Sequence, residues 1–170
     1  MKAEWEGILE SEGISDLPAY AEPSASISIV RFSEDLDVLE YFVLADVVLV
    51  LLVDGHFKMI TDYKHRKLDE IAKKELYKYV KQGMSLQEAR TKITPILQKH
   101  RALKNTDEGY WVLSFDENAV DHAMVGGILE IKENANVLAM TDGLACAVED
   151  YKIFPSYLDL ISFLKKTSFI

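Results

Sequence analysis

Two aspartates stand where apolar runs break: Asp46 inside "YFVLADVVLVLLV" and Asp142 at the end of "NVLAMTD". A carboxylate beside core strands costs free energy unless it is hydrogen-bonded, paired or bound to a metal ion. Hard cations such as Mg²⁺ and Mn²⁺ take one or two carboxylates plus waters, and strand ends of a layered sheet let such oxygens converge. Asp46 and Asp142 are therefore the candidate metal ligands. Each has a plainer alternative: Asp142 as a turn-forming Asx residue, and Asp46 as the middle of a strand-to-strand turn over 45–47. A second Asp-Gly pair, Asp54-Gly55, is the internal control. It lies between two strand-like runs and needs only a two-residue type I′ hairpin, because Gly tolerates positive φ.

The remaining reactive side chains point to no other chemistry. His56, His65, His100 and His122 show no zinc-ligand spacing. His56 follows the hairpin turn and should be solvated, while His100 falls on a helical apolar stripe and reads as a core or boundary histidine. The single cysteine, Cys146, excludes an internal disulfide and a thiolate metal cage, and its apolar setting suits a small buried hydrophobe. Neither the Walker nor the dinucleotide spacing can be fitted, and Gly126-Gly127 suits a turn. No Gly-x-Ser-x-Gly elbow is present. A spatial Ser/His/Asp triad carries no sequence spacing, so no catalytic residue is assigned.

The elements that would position the two aspartates follow from periodicity. Residues 3–10 form a short helix ended by Gly13, followed by the loop "SDLPAYAEPSAS". Residues 25–32 alternate as a strand, and 36–46 and 47–53 are rich in β-branched and large apolar residues. Asp54-Gly55 then leads into "HFKMITD". Leu68, Ile71, Ala72, Leu76, Tyr79 and Val80 fall at helical spacing over 66–82. Gly83 ends that helix, and Ser85 with Glu88 forms a capping box that opens another. Leu86, Ala89, Ile93, Leu97 and His100 continue the stripe, with Pro95 expected to kink or restart the helix. Strands return at 110–115, 126–131 and 136–142, with a helical turn around 117–125 between them. The closing "PSYLDLISFLKK" is helical. This order of strands, two helices, strands and helix is an α+β layered domain.

Bulk properties bound the partners. At 170 residues the chain is long enough for one domain with a sizeable core. Its net charge of −9 and pI near 4.9 argue against a nucleic-acid footprint and against anionic membrane surfaces. The N-terminus is acidic where a signal peptide would be basic, and the longest apolar run falls short of the ~20 residues that span a bilayer. A cytoplasmic protein is expected.

"PSASISIVRF", followed by "EYFVLADVVLVLLVDGHFKMITD", is similar to a mid-domain segment of bacterial type 2C (metal-dependent, PPM) protein phosphatase-like proteins. "NTDEGYWVLSFDENAVDHAM" resembles the Asn-x-x-x-Gly-Tyr-Trp-Val segment of one branch of that family. "VLAMTDGLACAVEDY" resembles its Leu-x-(Ser/Thr)-Asp-Gly strand end. The resemblance covers about residues 23–164. It implies an α-β-β-α sandwich holding two Mg²⁺ or Mn²⁺ ions between its sheets. A metal-bound hydroxide attacks a phosphoserine or phosphothreonine ester there. Asp142 matches the metal-bridging side of that site. Asp46 matches the Asp of a Gly-Asp turn near an additional metal, with Ala45 standing in place of the usual Gly.

Two departures shape the expectation. Residues 1–22 hold no counterpart of the family's early Asp-Gly metal motif. The sequence also stops at Ile170, ahead of the family's closing Asp-Asp or Asp-Asn strand. The resemblance thus implies one partial domain over 1–170, an incomplete sandwich that is inactive as the isolated chain. The alternative is a non-catalytic interaction or assembly module derived from that fold. Open sheet edges would then favour a homodimer or pairing with a second polypeptide, and a phosphoprotein or other protein is the expected partner.

Overall fold

The Asp54-Gly55 pair forms the turn its sequence demands. Both residues are left-handed, at φ 48° and 78°, and they join β3 (Val48–Val53) to β4 (His56–Ile60) in register Val53–His56 through Leu49–Ile60. The computed structural model describes residues 2–15, 17–122 and 124–167, with backbone only at 124–127. Contacts divide the chain into two compact units, Met1–Ala25 with Tyr63–His122, and Ser26–Asp62 with Ala123–Ile170.

The second unit holds both sheets, and every described pairing in them is antiparallel. One sheet has the order β1 (Ile27–Phe32), β2 (Val38–Leu44), β5 (Met124–Glu130); the other has the order β4, β3, β6 (Ala135–Met140). Alternation along β2 sends Leu39, Tyr41 and Val43 inward, where they cluster with Leu49, Leu51 and Val53 of β3 and Ile60 of β4. The opposite face of β3, Val48 and Val50, is covered with Met140 by α4 (Asp142–Glu149) and α5 (Tyr157–Lys166), through Ala145, Val148, Tyr157, Leu160 and Ile161. β3 is thus buried on both faces, which is why its sequence is continuously apolar rather than alternating. Burying each of its large side chains contributes about 1.5–3 kcal/mol.

The chain crosses from β2 to β3 through a turn at Ala45, a buried residue held left-handed at φ 71°, whose carbonyl accepts the Asp62 N–H at 3.1 Å. An L-residue in that region costs about 1–2 kcal/mol, so the turn keeps a glycine-like conformation without glycine. Gly126 and Gly127 do not form a turn; they lie within β5, opposite the register shift between Glu40 and Phe42 of β2. Glycine inside a strand commonly marks such a bulge.

The first unit is mainly helical, with α1 (Lys2–Ser11), α2 (Lys64–Lys81) and α3 (Leu86–Arg101). Ser85 and Glu88 make the expected reciprocal capping box, and the Ser85 hydrogen bonds hold the Glu88 carboxyl below its ordinary pKa. Pro95 does not restart the helix: α3 runs through it as one element, and Pro95 is exposed. Residues 110–115 make only isolated bridges instead of a strand. Tyr110, Trp111 and Val112 are consecutive and all buried, so the apolar run reports burial rather than sheet pairing. The helical turn expected over 117–125 is a 3₁₀ turn at Glu117–His122; Ala123 lies outside the described residues.

Candidate metal centre

Sheet register decides where the aspartates go. Met140, the last residue of β6, pairs with Val48, the first of β3, and Ile60, the last of β4, pairs with Leu49. Chain entering β3 and chain leaving β4 and β6 therefore meet at one end of the second sheet. That end carries Ala45-Asp46-Val47, Thr61-Asp62 and Thr141-Asp142. Asp46 and Asp142 are brought to the same sheet end, although they lie 96 positions apart in the sequence.

Asp62 joins them there and was not among the candidate ligands. A signal for it existed, because "MITD" and "AMTD" are the same strand exit written twice, once on each side of β3. The three differ in exposure. Asp62 is buried at 9% and Asp46 half-buried, while Asp142 is exposed. Asp46 Oδ1 accepts the Ser26 hydroxyl, and Asp142 Oδ1 accepts its neighbour's Gly143 N–H at 2.7 Å.

Asp142 sits one step beyond its expected place. β6 ends at Met140, Thr141 is the N-cap of α4, and Asp142 is the first helical residue. Thr141 makes no side-chain cap bond, and a carboxylate in the first turn is favoured by the exposed N–H groups of the helix. Among the described residues, no group of three or more His, Cys, Asp or Glu is gathered closely enough to hold a metal ion.

The control pair behaves differently. Asp54 accepts the backbone N–H groups of Lys132, Glu133 and Asn134 at 2.9, 2.9 and 3.0 Å. Those bonds, that of Lys132 foremost, hold its carboxyl below the ordinary aspartate pKa. His56 is exposed, with Nδ1 3.1 Å from the Asp54 carbonyl. Cys146 is half-buried in α4 and its thiol donates to Asp150 Oδ2 at 3.2 Å. His100 is half-buried at the end of α3, consistent with a boundary position.

The Asn105–Val112 segment has a structural explanation of its own. Asn105 is left-handed at φ 54°, its N–H donates to the Tyr110 carbonyl at 2.7 Å, and its side-chain oxygen accepts the Val112 N–H at 2.9 Å. A Cβ on Gly109 would fall 2.0 Å from the Leu103 carbonyl oxygen, so only glycine fits that position. These residues shape a loop, and no ligand role is needed to account for them.

Comparison with models of known protein families, with curated proteins and with solved structures finds no match. Among the described residues no helix is long and apolar enough to cross a membrane.

Proposed function

We propose that the chain is a type 2C-like phosphatase domain whose second sheet offers Asp46 and Asp142 to Mg²⁺ or Mn²⁺. The observation that carries this reading is the register that sends both aspartates to one sheet end. The resemblance of residues 23–164 to type 2C phosphatase-like sequences supports it, and so does the sheet–sheet–helix layering of the second unit. A bound divalent ion would supply a water of lowered pKa and neutralise charge on a phosphoryl group. The substrate class would be a phosphoserine or phosphothreonine protein in the cytoplasm. The isolated chain is proposed to bind metal with little or no turnover.

Thermal unfolding with and without Mn²⁺ tests this. Mn²⁺ should raise the Tm of the wild type more than that of Asp142→Asn, because ligand binding to the native state adds RT ln(1 + [L]/Kd). Equal shifts would end the metal assignment. Phosphate release from a phosphoserine peptide, dependent on Mn²⁺ and lost in Asp142→Asn, would instead show an active enzyme.

A second reading, a non-catalytic assembly module, is favoured by one specific observation. The edge strand β6 carries no charged residue. Natural proteins usually blunt such edges with charge, proline or a bulge.

A further inference from the structure

We infer that the edge of β6 pairs with β6 of a second copy, joining two chains across a two-fold axis. The inference stands whichever reading of Asp142 holds. The four edge strands differ in how they meet solvent. β1 carries Arg31, β4 carries His56 and Lys58, and β5 carries Glu130 and a register shift. β6, with the sequence Ala-Asn-Val-Leu-Ala-Met, has neither charge nor proline.

Its free side can be assigned residue by residue. The Asp54 N–H donates to the Asn134 carbonyl at 2.9 Å, which fixes the phase of the ladder between β3 and β6. Bonded and non-bonded positions alternate in an antiparallel pair, so Asn136, Leu138 and Met140 face β3. Ala135, Val137 and Ala139 direct their N–H and C=O groups to the other side, where no described strand pairs with β6. Alongside runs a groove of about 380 Å³, walled by Ile161, Leu164 and Lys165 of α5.

A second copy fits this edge because the outward positions read the same from either end: Ala135, Val137, Ala139. An antiparallel copy sets Val137 opposite Val137 and Ala135 opposite Ala139, each pair exchanging both backbone bonds. Leu138, on the face that meets the helices, would bring its counterpart towards the Ile161–Leu164 wall.

The test is the mass in solution of wild type, Ala139→Pro and Ala139→Lys, by light scattering over a concentration series. Amide exchange is followed at Ala135, Val137 and Ala139. Ala139 is exposed and its N–H points outward, so proline there removes only the donor offered to the second copy, and edge proline is tolerated in sheets. The wild type should reach twice 19.3 kDa, with the three amides slowing as concentration rises. Both variants should weaken dimerisation at least ~10-fold, equivalent to about 1.4 kcal/mol. If the proline variant misfolds, the lysine variant alone decides, since it alters no backbone group. A wild type that stays monomeric overturns the inference, even if a foreign strand peptide binds. So does a dimer that both variants preserve, or one whose three amides exchange at the same rate at every concentration.

Discussion

The two Asp-Gly pairs share a dipeptide and little else. At Asp54-Gly55 both residues are left-handed, and the carboxylate gathers three backbone N–H groups from residues 132–134. At Asp142-Gly143 the chain is already helical, and among the described residues the exposed carboxylate accepts the adjacent Gly143 N–H. One aspartate is consumed in holding the fold, whereas the other leaves most of its lone pairs to water. The difference lies in the partners each carboxylate meets, and residue type alone carries none of that information.

The sharpest way to break this contrast is to remove each carboxylate. Asp54→Ala should lower Tm more than Gly55→Ala, Gly143→Ala or Asp142→Asn, because it strips one acceptor from three donors at once. Its pH dependence has a definite sign. The folded-state pKa of Asp54 is depressed, so its contribution is full above the unfolded value of ~4 and is lost as pH falls through the lower folded value. Wild type should therefore lose stability below about pH 4 more steeply than Asp54→Ala in acid titrations followed by circular dichroism.

Replacing the glycines should separate the pairs by sign. Gly55→Ala places a Cβ at φ 78° and should cost about 1–2 kcal/mol in urea unfolding. Gly143→Ala meets only ordinary contact with Thr141 Oγ1 at 3.6 Å, and should stabilise the helix by about 0.5 kcal/mol. Destabilisation of similar size at both positions would erase the distinction. The smallest effect is expected for Asp142→Asn without metal: a change in unfolding free energy within about 0.5 kcal/mol, as for other exposed positions. A larger loss would mean that Asp142 is a structural group like Asp54.

The legible parts of the fold were those governed by local chemistry. The type I′ turn at Asp54-Gly55 and the capping box at Ser85 are written in a few adjacent residues. The apolar runs of β2 and β3 likewise declare their burial. The illegible parts were those where a local pattern had two physical causes. Residues 110–112 are apolar because a loop buries them, and the polar groups that close that loop, Asn105 and Ser114, stand outside the run. α4 was hidden because Gly143 lowers helix propensity, and its buried positions, Ala145 and Val148, form too short a stripe to show a period.

At the candidate site, Asp46 and Asp142 could be chosen from sequence as interruptions of apolar runs. Their arrival at one sheet end required the register of β3 with β6. Asp62 was missed because it follows a short strand of mixed polarity, so no long apolar run pointed to it.

The Asp54 clamp also bears on how this chain can vary. Its bonds to residues 132–134 close sequence gaps of 78 to 80 positions, and α2 and α3 of the first unit lie inside that interval. Closure entropy grows only as the logarithm of loop length, about 0.6 kcal/mol for each doubling. The segment between β4 and β5 is therefore a place where the chain can lengthen or shorten at little closure cost, while the sheet end carrying Asp46, Asp62 and Asp142 keeps its register.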